Sequence, residues 1–351
     1  MLKRTIRHFL IYAFSKPKSQ ITFGFIRGAK FLLARYPKNS IFFENLSSQK
    51  DGYGAQIQRI LSVKSLANSV HQSFTFNPLT EVEDQITQEA LSREAKNEEI
   101  SQFNSWLGDL LDSQEEAGYS FYKIIQINSP FELFYQSLRF CLLRKTKPFR
   151  IKFILENAYF MTNTNPNLYL SVVAPMNRVE SNSCKMQKIH VHLRFVNFSI
   201  GTFRSLNPDY YFKTLDRVTS KLDKAKIDYQ IILHSDFNGP FDDTKNRSIT
   251  QMTKNHLFEM RLIDSKDMPD KDILEAAVNL LNTIHDRYRN VKFSKSETPL
   301  SSLQSMISAD FLILSKSSFA FVAGILNPKG EIYSPEYWIN LPTSWTAESG
   351  F

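Results

Sequence analysis

The sequence predicts an α/β protein built from two Rossmann-like domains, and three observations predict it. Its 351 residues are too many for one small core and fit two domains of ordinary size. A strand, a glycine turn, a helix and a second strand follow one another between residues 41 and 83. Beyond residue 185, strands alternate with helices as far as residue 333, which is the pattern of a doubly wound sheet.

Taken in order, IFFENL (41–46) reads as a buried strand, DGYGAQ (51–56) as a turn, IQRILSVKSLANSV (57–70) as a helix and SFTFNPL (73–79) as a strand. The acidic stretch around residues 85–120 places Trp106, Leu107, Leu110 and Leu111 at helical spacing, which predicts a helical insertion packed through one stripe. PFELFYQSLRFCLLRK (130–145) predicts a helix with a basic C-terminal end. Asn, Ser and Pro dominate residues 161–185, read as a linker or irregular crossover. In the second half, KIHVHLRF (188–195) is a strand, and Asn207-Pro208-Asp209 opens a helix. YQIILH (229–234) is a buried strand, 270–288 a long helix and 291–293 a short strand. The pattern then runs through a helix at 299–308, strand DFLIL (310–314), a helix at 318–326 and a last strand at 331–333. The domains are therefore expected at 41–180 and 185–340, between a basic extension (1–40) and a tail (341–351).

Composition narrows the function. No apolar run reaches the length of a membrane span. The start has a short apolar centre between basic flanks, but Tyr12 and Ser15 interrupt it and no small-residue cleavage pattern follows, so no cleaved signal is expected. Cys141 and Cys184 lie far apart, which favours a reducing, cytoplasmic setting over a disulfide framework. The formal charge of +8 is concentrated at the start: Lys3, Arg4, Arg7, Lys16, Lys18, Arg27, Lys30, Arg35 and Lys38 all precede the first acid, Glu44. The rest is near neutral, which speaks against a nucleic-acid partner. Residues 1–40 either cover the edge of a domain or touch an anionic membrane surface, such as the inner face of a cell membrane.

Three constellations fall at strand C-terminal ends, where ligands bind in this architecture, with the ligand expected between the two domains. In His192-Leu193-Arg194-Phe195-Val196-Asn197, alternation puts His192 and Arg194 on one face. Arg194 can hold a phosphate with two parallel hydrogen bonds, or pair with a carboxylate across the cleft. In His234-Ser235-Asp236, the carboxylate can bind a base or ribose, or cap a turn. In Ser315-Lys316-Ser317-Ser318-Phe319, hydroxyls and free N–H groups at a helix N-terminus suit an anion, and also suit an ordinary N-cap. Gly52 and Gly54 before a helix equally mark a plain connection or a close backbone approach to a ligand. The sequence has no GxxxxGK[ST] loop, no HExxH, no paired CxxC and no GxSxG elbow. Asp242-Asp243 in a polar loop is not a metal-binding pair, and no metal is expected.

The order of these pieces resembles the α-1,2/α-1,6-fucosyltransferase superfamily, whose fold is GT-B. The early glycine loop is matched by Gly52-Tyr53-Gly54-Ala55-Gln56, and the central H-x-R-R strand end in part by His192 to Asn197. The D-Y-Y helix start is matched by Asp209-Tyr210-Tyr211, and the next strand end by His234-Ser235-Asp236-Phe237. The late serine motif and its helix resemble Ala309 to Asn327, followed by Ser334-Pro335-Glu336-Tyr337-Trp338. The similarity spans residues 50–340. It departs at Phe195, where the family has a second Arg, at Asn197 in place of Asp, and at Lys316 in place of Asn.

The resemblance implies an inverting, metal-independent glycosyltransferase moving fucose, or another sugar, from a GDP-sugar to a hydroxyl of a glycan or lipid-linked saccharide. Arg194 would stabilise the leaving diphosphate; Lys316, at a departure from the family, is expected to supply the missing second charge from the opposite loop. Ser317 and Ser318 would donate to the phosphates, His192 and Asp236 match guanine-contacting positions, and Asn197 stands in the donor motif. Gly52, Tyr53, Gly54 and Gln56 would approach the donor from the first domain. Glu83 and Glu297 are the candidate general bases. The two departures also suit a catalytically inactive nucleotide-sugar or glycan-binding homologue in polysaccharide assembly.

Overall fold

The computed structural model describes residues 18–37, 40–46, 52–82, 93–111, 123–143, 150–155, 162, 165–173, 186–194, 206–235, 267, 269–294, 298–336 and 340–348. The chain divides into two compact units, residues 1–83 with 100–176, and residues 84–99 with 177–351. Each is an α/β unit on an all-parallel sheet, as the alternation of strands and helices predicts.

In the first unit, β1 (Ile41–Asn45), β2 (Ser73–Thr75), β3 (Lys123–Ile127) and β4 (Ile151–Leu155) lie in the order β2-β1-β4-β3. Phe43 is in register with Phe74 and Phe153, and its ring packs on that of Phe153 at 5.7 Å. β3 and β4 lie where no strand is predicted, because each is a five-residue segment flanked by polar text. Helix α1 (Lys18–Leu33) forms within the basic extension, where no element is predicted, and buries Phe25, Ile26, Ala29, Leu32 and Leu33. Its neighbour is α4 (Pro130–Leu143), reached through Phe25 against Phe134. Helix α2 (Tyr53–Ser69) joins β1 to β2, and α3 (Arg93–Leu111) is the helix of the predicted insertion. Within the stretch read as a linker, a 3-10 turn (Pro166–Tyr169) runs into the short α5 (Leu170–Val173). Tyr169 there is fully buried and shares a 2.8 Å hydrogen bond with Ser62 of α2.

The second unit carries six strands: β5 (Met186–Leu193), β6 (Asp228–Ser235), β7 (Val291–Phe293), β8 (Phe311–Ile313), β9 (Glu331–Pro335) and β10 (Thr346–Glu348). They lie in the order β7-β6-β5-β8-β9-β10. Ranked by their place in this unit the order is 3-2-1-4-5-6, the doubly wound dinucleotide-binding order, whose reversal falls between β5 and β8. β10 adds a sixth strand in the segment read as a tail. Its anchor is Trp345, packed edge-on against Phe321 at 5.2 Å.

Two opposite faces of β5 have different fates. Ile189, Val191 and Leu193 enter a core with Leu215 and Val218 of α6 (Pro208–Lys224) and Leu281 and Ile284 of α7 (Asp270–Arg287). The alternate positions, His190, His192 and Arg194, face the side where α8 (Pro299–Ile307) and α9 (Ser318–Leu326) contribute partners. α6 starts as predicted: Asn207 Oδ1 accepts from Asp209 N at 2.9 Å, with Pro208 at the first helical position.

Three helix-to-strand turns, before β2, β6 and β7, use non-glycine residues at positive φ: His71, Lys226 and Asn290, each at 56°. Glycine is required instead at Gly330, between α9 and β9. A Cβ there would lie 2.5 Å from the Ala309 carbonyl oxygen, and Gly330 N donates to Asn327 Oδ1 at 2.7 Å. Gly330→Ala is expected to cost about 1–3 kcal/mol in the denaturant-induced unfolding of the full chain, since a backbone carbonyl cannot yield. An unchanged unfolding free energy would count against this tight turn.

Candidate functional site

The site is built at the reversal of strand order in the second unit. β5 ends in His192-Leu193-Arg194, and β8 runs through Leu314 into Ser315-Lys316-Ser317 at the start of α9. Two side-chain hydrogen bonds cross this point. His192 Nδ1 and Ser315 Oγ are 2.8 Å apart, and Arg194 Nη1 donates to Ser317 Oγ at 3.3 Å. Positions two apart on one strand are thereby tied to positions two apart on the next loop. The loop is braced by Tyr210, whose hydroxyl donates to the Leu314 carbonyl at 2.9 Å. The Tyr of the Asp209-Tyr210-Tyr211 motif thus supports the strand ends from a buried position.

Ser317 is the N-cap of α9, its Oγ accepting from Phe319 N at 3.3 Å, so the ordinary capping use is realised. It does more than cap, because the same oxygen takes the Arg194 guanidinium. A helix N-terminus carries partial positive charge and repels a cation. Here a half-buried guanidinium stands against that terminus, and the half-buried Lys316 precedes the cap. Burial pushes the Lys316 ammonium pKa down, opposed by Glu336. Positive charge gathered where solvent is partly excluded lowers its energy by meeting an anion, and the partial positive charge of the helix N-terminus adds to it.

Behind this edge lies a buried histidine cluster. His190 Nδ1 and His234 Nε2 are 2.8 Å apart with their rings stacked, and His234 Nδ1 lies 3.1 Å from Ser302 Oγ of α8. His192 is in register with His234 across β5 and β6. All three rings are buried, and their pKa values are pushed down to about 3. Burial is the main cause in each. His234 and Lys188 add to it at His190, Arg194 at His192, and His192 at His234. The cluster is neutral at ordinary pH. His190 was not singled out in the sequence, although the alternation in KIHVHLRF sets it on the same face as His192 and Arg194.

The positions expected to approach a donor from the first domain all belong to the first unit. The helix begins at Tyr53, so Gly52 is its N-cap and Gly54 lies in its first turn rather than in a loop. Gly52 has φ −68°, which any residue adopts. Tyr53 is buried, its ring stacked 4.0 Å from Phe103 of α3, and Gln56 Nε2 donates to the Glu81 carbonyl at 2.8 Å. At the strand ends of this unit, Asn45 Nδ2 donates to the Asn77 carbonyl at 2.7 Å and Lys152 Nζ to Glu44 Oε2 at 2.8 Å. Neither pair was visible in the sequence, because each joins residues far apart in the chain. Asn197, Asp236, Glu83 and Glu297 lie outside the described residues, as does Phe195. Among the described residues no group of His, Cys, Asp or Glu is arranged to hold a metal ion.

The second unit is therefore a doubly wound α/β unit with Arg194, Lys316 and the N-terminus of α9 gathered at its topological switch point. No family model matches the chain, and no curated protein matches it. Among solved structures it is similar to NodZ alpha-1,6-fucosyltransferase soaked with GDP-fucose, with 10% identity and a TM-score of 0.31 over 83% of this chain and 93% of that one. It is also similar to E. coli heptosyltransferase WaaC with ADP, with 8% identity and a TM-score of 0.35 over 88% of this chain and 92% of that one. Both similarities are too slight to carry an activity across.

Proposed function

We propose that the chain is a glycosyltransferase that uses a nucleotide-diphosphate sugar, with a GDP-sugar such as GDP-fucose as the first donor to test. The observation that carries this reading is the meeting of Arg194 with the N-terminus of α9 at the β5–β8 switch point. A diphosphate is the group whose charge that arrangement suits, and the ordered motifs resembling the fucosyltransferase superfamily support the same reading. An acceptor hydroxyl oxygen attacks the anomeric carbon. A new C–O bond forms as the bond to the diphosphate breaks, and the nucleoside diphosphate leaves with the electron pair. A base takes the hydroxyl proton; Glu83 and Glu297 remain the candidates for it. The negative charge growing on the leaving group is what Arg194 stabilises, with the N–H groups of α9 and the Lys316 ammonium beside it.

Beside the guanine contact that the resemblance implies for it, His192 has a part in holding the loop. Its ring is 5% exposed and its Nδ1 is engaged by Ser315, so it suits positioning the loop. Titration calorimetry with GDP, GDP-fucose and UDP-sugars tests the donor, and release of nucleoside diphosphate with a glycan panel tests turnover. Absence of binding to every nucleotide would sink the proposal. Binding without turnover would favour the inactive homologue that Phe195 and Asn197 also suit. Lys316→Met is expected to weaken GDP binding about tenfold, the scale of one charged hydrogen bond. Unchanged binding and turnover in that variant would remove Lys316 from the site.

A further inference from the structure

We propose that the outward side of α1 and α4 is a docking surface for an anionic lipid bilayer. Helix α4 is apolar on two opposite sides. Leu133, Phe134 and Phe140 are buried, while Phe131, Tyr135 and Leu142 follow one another on the other side and are 52%, 51% and 53% exposed. A helix with one face on a core turns a polar stripe to water, and a second apolar stripe calls for a partner.

α1 extends the same character. It is joined to α4 by Phe25, edge-on to Phe131 at 5.2 Å, and just past its C-terminal end the Tyr36 hydroxyl donates to the Ser137 carbonyl at 3.3 Å. Phe31 of α1 is 55% exposed, with the Arg35 guanidinium 3.9 Å above its ring. Arg27 is exposed on the same helix.

Charge decides between a lipid and a protein occupant. The chain carries nine Lys and Arg residues before its first acid, Glu44, and α1 has no acid at all. On α4, the carboxylate of Glu132 is turned back to its own helix start, accepting from Asn128 N at 3.0 Å. Aromatic rings beside arginines, with no acidic residue on α1 to repel phosphate, are the composition that settles at an anionic headgroup boundary. Among the described residues no helix is long and apolar enough to cross a membrane, so the contact is one of lying on the surface.

The test needs no nucleotide sugar, so its failure is separate from failure of the proposed function. The full chain is sedimented with vesicles of phosphatidylcholine alone and of phosphatidylcholine with phosphatidylglycerol. Binding is expected only to the anionic vesicles, weakening with salt. The triple variant Phe131→Ser, Tyr135→Ser, Leu142→Ser is expected to lose at least about tenfold in vesicle affinity, since the area lost would otherwise be buried in lipid. Its melting temperature should fall only by the loss of the Phe131 contact with Phe25, because all three side chains are half exposed. If that variant does not fold, Arg27→Glu with Arg35→Glu supplies the same readout through charge. No binding to anionic vesicles would overturn the proposal, as would binding unchanged in both variants. Concentration-dependent self-association lost in the triple variant, without vesicle binding, would make the face a protein interface instead.

Discussion

Replacing Arg194 with alanine is expected to lower turnover of the nucleotide sugar by about 100- to 1,000-fold, the loss seen when one preorganised stabiliser of a developing charge is removed. The reason is positional. Arg194 stands just past the end of β5, at the one point where the strand order reverses, and reaches the N-cap of α9. On the proposed function, a group fixed there would meet the leaving diphosphate without reorganising. The charge it would face grows as the bond between sugar and phosphate breaks, so kcat should fall further than GDP affinity. Arg194→Lys keeps the charge and loses the planar fork, and intermediate turnover is expected of it. The measurement is release of nucleoside diphosphate under saturating donor. Turnover near that of the unmodified chain in Arg194→Ala would remove Arg194 from the reaction.

Acid is expected to destabilise the second unit strongly, through His190, His192 and His234. Their folded-state pKa values lie below the usual value near 6.5, so folding favours the neutral rings. Above about pH 6.5 the rings are neutral in both states and the stabilisation is fully present. As pH falls from 6.5 toward 3, the unfolded chain takes up protons first and that contribution is lost. Each ring adds up to about 1.4 kcal/mol per pH unit to the slope. The charged groups facing them add to the cost, since Lys188 and Arg194 are cationic, while Ser302 and Ser315 are neutral; only a backbone hydrogen bond at His192 works the other way. Denaturant unfolding at pH 7.5 and pH 5 reads the effect. The double variant His190→Leu, His234→Leu removes both partners of one hydrogen bond and should flatten the profile. A flat profile in the unmodified chain would mean that the rings accept protons while folded.

Both outcomes involve β5 and its C-terminal end, and they separate what the sequence reveals from what it hides. Alternation along KIHVHLRF was enough to place His192 and Arg194 on one face, because side chains in a strand alternate with period two. The helix caps at Asn207 and Ser317 were equally legible, since a cap is a local contact between a side chain and the next turn. Five-residue strands such as β3 and β4 were not, because a short apolar run carries no period of its own. The first glycine pair was read as a loop and is the start of α2, with Gly52 in an ordinary backbone conformation.

Local periodicity and capping therefore determined that this chain is an α/β protein with two sheet-bearing halves, and they named the strand ends on which to look for chemistry. Tertiary structure alone decided that β5 and β8 are neighbours, which brings Arg194 to Ser317 and His192 to Ser315 across 123 positions of chain. It also decided that three histidines share one buried cluster, and that α4 leaves an apolar side exposed. Strand order and helix docking are settled by which distant apolar faces bury each other, and no window of sequence contains both partners.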